Sequence, residues 1–153
     1  MKRRNKMYSY EELFRVAQNY YKDNGFCTVV AMTHASLVGF GKAFNIMKRY
    51  GRKTGQGTFK NIWNNKKIHE ELGFTATLLA GSDSDYRHLH QEDLGTVCQV
   101  VKGLGKGSFW LLVRSHIIHV EDGQVMDWVK SNSRKRVQGV LQINRHFEYN
   151  LNN

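Results

Sequence analysis

A chain of 153 residues, 41% apolar and 12% aromatic, has the composition of one folded domain, with length enough to bury about 60–70% of its surface. It has no Pro, no Pro-, Ser- or Gln-rich linker, no internal repeat, and no apolar run approaching the ~18–20 residues a membrane span needs. Its formal net charge of +10 favours anionic partners, nucleic acid or an acidic protein, over cationic ones.

The positive residues are scattered through Lys2-Arg3-Arg4, Lys48-Arg49, Arg52-Lys53, Lys66-Lys67 and Arg134-Lys135-Arg136, which describes a basic surface with several patches, not one recognition helix. The expectation for nucleic acid is therefore weak, non-specific binding. The basic opening residues lead into polar ones where a signal peptide would be apolar, and residues 1–8 read as a flexible basic terminus of a single domain spanning 1–153. Cys27 and Cys98 lie far apart and in no metal-like spacing, so free thiols in a reducing cytoplasm are expected, with no membrane association, metal or cofactor.

In chain order, Ser9 and Glu12 have capping-box spacing, and Leu13, Phe14, Val16, Ala17 and Tyr20 repeat at helical intervals, predicting a helix over 9–22. Asp23-Asn24-Gly25 breaks it. A second helix follows with Asn24 as its cap and ends at Gly39, and a third runs from Gly41 to Tyr50. After a Gly-rich basic loop from Arg52 to Thr58, Thr58 caps a helix through Leu72 that Gly73 closes. Residues 74–80 alternate like a strand, 81–91 are polar and turn-rich, and 92–102 suit a helix ended by Gly103, Gly105 and Gly107.

The last third is β. Residues 108–114 and 116–121 are rich in branched and aromatic side chains, Asp122-Gly123 is a strong hairpin signal, 124–128 return from it, and 137–143 form a last strand. Helices first and an antiparallel sheet afterwards give an α+β fold.

Cys27 falls in the first turn of the second helix, where unpaired N–H groups and the helix dipole favour an anion such as a thiolate. Gly25 beside it lets a substrate backbone approach. A thiol nucleophile needs an imidazole as base, and the imidazole a third group to fix its tautomer. His116 opens a strand, and across the hairpin a two-residue turn pairs Glu121 with Gln124 and Val120 with Val125. This brings Asp127 within side-chain reach of His116.

The order Cys27-Thr-Val-Val-Ala31, Gly51-Arg52 to Gly57-Thr58, Gly107-Ser-Phe-Trp-Leu-Leu-Val, His116 to Asp122-Gly123 and Asp127-Trp128 resembles small papain-like cysteine peptidases of phage and bacterial genomes, over about residues 20–143. The resemblance implies a papain-like core, with the Cys27 helix packed on a C-terminal antiparallel sheet. It implies Cys27 as nucleophile, His116 as general base and acid, Asp127 as orienting residue, and a peptide or protein substrate. Many members supply an oxyanion donor from a Gln shortly before the Cys. Tyr21 stands at that place here, and Asn24 is the substitute.

Other residues read more plainly. His34, two helical turns past Cys27 and about 10 Å along the axis, suits a surface or packing role. His119 points to the face opposite His116. Cys98 suits a core position. Asp83, Asp85, His88 and His90 lack a familiar metal-ligand spacing. The Arg52–Thr58 loop lacks the ending of a phosphate-binding loop and reads as structural. Tyr50, Phe59 and Trp63 lie near basic residues, so the same domain is also readable as an inactive basic module that stacks bases or grips an acidic host protein.

Overall fold

The helical half begins where its capping residues put it. In the computed structural model, which describes residues 6–56, 60–82, 93–127 and 134–151, helix α1 spans Tyr10–Asn19. Ser9 Oγ accepts from the Glu12 amide at 3.1 Å and Glu12 Oε1 accepts from the Ser9 amide at 3.3 Å, closing the capping box. Helix α2 spans Cys27–Ser36, and Leu37, in the left-handed conformation (φ 57), turns the chain into α3 at Phe40–Arg49. Every residue from Thr28 to Ser36 is buried, so α2 is a central helix packed all round and not an amphipathic surface one.

The helix expected over 58–72 is two: α4, Lys60–Trp63, and α5, Lys66–Leu72. The break falls at Asn64-Asn65 because the Asn65 side chain accepts from the Lys67 amide and caps a new helix. Thr58, the expected cap, lies outside the described residues. Gly73 closes α5 at φ 87, a backbone conformation that glycine adopts without strain.

The sheet consists of β1 (Phe74–Gly81), β2 (Ser108–Val113), β3 (His116–Glu121), β4 (Gln124–Met126) and β5 (Gly139–Arg145), antiparallel in the order β1-β5-β2-β3-β4. Helix α6, Val97–Leu104, precedes β2 and starts later than expected, because Thr96 and Gln99 form a second capping box. The last strand also starts late. Val137 and Gln138 give their amides to Gly95 and Leu112 carbonyls before the ladder begins at Gly139.

Alternation along the strands divides the interior into two cores. Trp110, Leu112, Ile117, Leu141 and Ile143 face α1–α5, while Phe109, Leu111, Val113, Ile118, Val120 and Val140 face α6. Central β2 is therefore buried at all six positions. The fold is α+β, with β1 joining the sheet from the helical half and α6 covering its second face.

Cys98 is exposed, a correction to the core position expected for it. Val97, Val100, Val101 and Leu104 form the inward stripe of α6 at helical spacing, which turns the next residue after Val97 to solvent. Among the described residues, no single helix is long and apolar enough to cross a membrane.

Helix α2 is tied to the sheet along its length. Trp110 Nε1 donates to the Ala31 carbonyl at 3.2 Å, and Arg145 donates to the carbonyls of Ala35 (2.8 Å) and His34 (2.9 Å) at the C-terminal end. A cation at that end also complements the helix dipole. The His34 ring, fully buried, meets the Tyr8 carbonyl at 2.9 Å and lies 5.4 Å from the His119 ring. Tyr8 is thereby anchored at the edge of the basic N-terminal stretch.

Candidate active site

The turn before α2 is built on a buried ion pair. Arg52 Nη1 donates to Asp23 Oδ2 at 2.7 Å, with the two side chains 2% and 0% exposed. Asp23 Oδ1 also accepts from the amides of Gly25 (3.0 Å) and Gly55 (2.9 Å), and Arg52 Nη2 donates to the Gly25 carbonyl at 2.6 Å. Gly25 is gripped at both its backbone groups, two residues before the thiol. The Gly-rich basic loop is structural in this sense, and its first cation serves the interior.

This arrangement corrects the expected cap. The Asp23 carboxylate, not the Asn24 amide, satisfies the turn, and the N-cap of α2 is Phe26, which makes no side-chain capping bond. Cys27 is consequently the first residue of the helix, half-buried, with the uncapped amides of the first turn near it. Asn24 is exposed at the rim of the same groove.

From the sheet side, the hairpin has the expected register, with Glu121 opposite Gln124, Val120 opposite Val125 and His119 opposite Met126. Asp127 follows directly, diagonal to His116 across the strands. His116 Nε2 and Asp127 Oδ2 are 3.1 Å apart, and the Asp127 side chain is 1% exposed. Cys27 lines the same groove as His116, near enough to act on its ring. Cys27, His116 and Asp127 are thus neighbouring side chains.

Electrostatics follow from that arrangement. Burial works against a charged His116 ring, but the interactions with Asp127 and Cys27 outweigh it and push the pKa up to about 9. The ring is an imidazolium at neutral pH, held beside a buried carboxylate. An imidazolium next to a thiol can serve as a proton donor.

Cys27 and His116 line a groove of about 520 Å³ whose far wall is α1, with Asp127 buried behind His116. Gln18, exposed on that wall, brings a side-chain amide to the groove. It lies nine residues before Cys27, farther upstream than the Gln that the papain-like resemblance implies. Its signal was present in the helical spacing of Tyr10, Phe14 and Gln18, which set all three on one face.

The remaining singled-out residues belong elsewhere. His34 and His119 are packing residues in a buried network: His119 Nε2 lies 2.9 Å from Glu121 Oε1, Arg145 Nη2 donates to the same oxygen at 2.7 Å, and Ser108 Oγ donates to Glu121 Oε2 at 2.7 Å. Trp63 is buried edge-on against Trp110 and presents no free ring for stacking a base, while Tyr50 is half-buried against the helix-side core with its hydroxyl donating to Glu71. Phe59 lies outside the described residues, as do Asp83, Asp85, His88 and His90. Compared with known proteins, the chain matches no family model, no curated protein and no solved structure.

Proposed function

We propose that this protein is a thiol hydrolase of papain-like layout that cleaves an amide or ester. The observation that carries the reading is the single imidazole of His116, 3.1 Å from the buried Asp127 carboxylate and beside Cys27 in one groove. In the first step the Cys27 thiolate attacks the carbonyl carbon, forming the C–S bond. His116 gives its Nδ1 proton to the leaving nitrogen or oxygen as that bond to carbon breaks. Neutral His116 then takes a proton from water, the resulting hydroxide attacks the thioester, and the C–S bond breaks to regenerate thiolate and imidazolium.

Asp127 holds the ring with Nε2–H toward itself and stabilises the charged form in both half-reactions. The oxyanion formed in each is met by the Cys27 amide at the start of α2 and by a side-chain amide at the groove, Asn24 or Gln18. The test compares the two thiols of the intact protein. A small iodoacetamide probe near neutral pH should label Cys27 much faster than exposed Cys98, and Cys27→Ala should abolish hydrolysis of a peptide library or activated ester while circular dichroism stays unchanged. Equal labelling of the two cysteines, or hydrolysis that survives Cys27→Ala, refutes the reading and leaves a basic binding module in its place.

A further inference from the structure

The end of α2 that carries the thiol is anchored differently from the rest of the helix. Trp110 holds the middle and Arg145 the C-terminal end, both through backbone carbonyls, but the N-cap Phe26 makes no side-chain capping bond. The polar anchor there is Gly25, and the side chain that grips its carbonyl, Arg52, comes from the loop after α3. Each guanidinium nitrogen has its own partner: Nη1 the Asp23 carboxylate at 2.7 Å, Nη2 the Gly25 carbonyl at 2.6 Å and Nε the Gln56 carbonyl at 3.1 Å. The central carbon of the fork also lies over the Phe44 ring, 5.9 Å from its centroid.

Stability alone does not account for this placement. A buried ion pair commonly gives no net stability over apolar residues of equal volume, because desolvation of two charges offsets their attraction. What it fixes is geometry. Arg52 sets the peptide plane of the Gly25 carbonyl, and the next peptide plane carries the Phe26 carbonyl and the Cys27 amide. That Phe26 carbonyl accepts from the Val30 amide at 2.9 Å, in the first turn of α2. The direction of the Cys27 N–H is thus set by the helix on one side and by Arg52 on the other, and it is one of the first-turn donors that a helix does not use.

We infer that Arg52 is a positioning residue for the hydrolysis, acting through Gly25 to aim the Cys27 amide at the substrate carbonyl oxygen as it becomes negative. The inference rests on the reading of Cys27 as nucleophile and adds to it a residue that does not line the groove. A donor stabilises an oxyanion well only if it already points there, since a group that must reorient loses the advantage. Lysine would keep the charge at this position but has no planar fork, so it cannot hold three acceptors in one plane.

Two reagents separate positioning from a merely structural role. p-Nitrophenyl acetate acylates the thiolate through a tetrahedral oxyanion: the C–S bond forms, the ester C–O bond breaks and p-nitrophenolate leaves. Iodoacetamide alkylates the same thiolate by direct displacement of iodide, with no oxyanion. Both rates are measured on the full chain, with the background of Cys27→Ala subtracted. Arg52→Lys should slow acylation at Cys27 by about tenfold or more, the scale of a misplaced oxyanion donor, and leave alkylation unchanged. Asp23→Asn combined with Arg52→Met, which removes the buried charges along with the fork, should show the same split, and it carries the test if circular dichroism finds Arg52→Lys unfolded. Equal slowing of both reactions, or no slowing of either, overturns the inference and leaves the hydrolase reading standing. Absence of Cys27-dependent acylation in the unaltered protein refutes that reading and the role of Arg52 with it.

Discussion

At the scale of single residues, His116 does its work through its two neighbours. Hydrolysis requires the imidazolium as proton donor in the first step, so the rate should fall as pH rises through about 9. Asp127→Asn removes the carboxylate that helps raise this pKa. The alkaline limb of the pH–rate profile should then move down, with kcat reduced by about 10²–10⁴ and residual activity retained. An alkaline limb that stays in place would show that Asp127 does not act on the ring. Asp23 and Arg52 are a second residue-scale case. Arg52→Met leaves a buried carboxylate without its partner and should cost about 3–5 kcal/mol in denaturant unfolding, while Asp23→Asn combined with Arg52→Met should recover part of that loss.

At the scale of elements, the position of Cys27 depends on how α2 is seated. This helix has no solvent face between Thr28 and Ser36, so its orientation is set by its anchors to the sheet. Trp110 supplies one, with its ring in the helix-side core and its Nε1–H on the Ala31 carbonyl. Trp110→Phe loses that hydrogen bond and leaves a void. It should lower unfolding free energy by about 1–3 kcal/mol, seen as a shifted denaturation midpoint with an unchanged slope. Because the thiol meets an imidazole on the sheet, the same variant should also slow Cys27 alkylation. Loss of stability with an unaltered alkylation rate would separate the seat of α2 from the site.

At the scale of the whole molecule, titrating groups of opposite sign set the pH of greatest stability. Burial lowers the pKa of His34 to about 3 and that of His119 below its ordinary value, so their stabilising contribution is full above 6.5 and is lost as pH falls. Glu121 acts in the same direction. Burial opposes its charge, but hydrogen bonds to His119 and Arg145 prevail and lower it to about 2, so its contribution is lost as pH falls below 4.5. His116 is raised from 6.5 to about 9, so its contribution is full below 6.5 and is lost as pH rises through 9. Thermal midpoints should therefore peak near pH 6.5 and decline on both sides. His116→Gln should flatten the alkaline decline and leave the acid one. A decline on the alkaline side that persists in this variant would place its origin outside the site.

What the sequence determined by itself is local. Ser9 and Glu12 spell the start of α1, Gly73 the end of α5, and Asp122-Gly123 the hairpin whose register carries Asp127 toward His116, because caps and two-residue turns are specified by adjacent residues. The pairing of Cys27 with His116 was legible only as a resemblance in order and spacing, since the two lie 89 positions apart. The tertiary structure decided the rest. Asp23 displaced Asn24 as the residue that satisfies the turn, because its partner Arg52 comes from a distant loop. Gln18 reached the groove because α1 packs alongside the start of α2, and Cys98 turned outward because α6 had only one apolar stripe to bury. In each case the deciding contact joins residues far apart in the chain, and burial of a charge or an apolar stripe, not local propensity, chose the outcome.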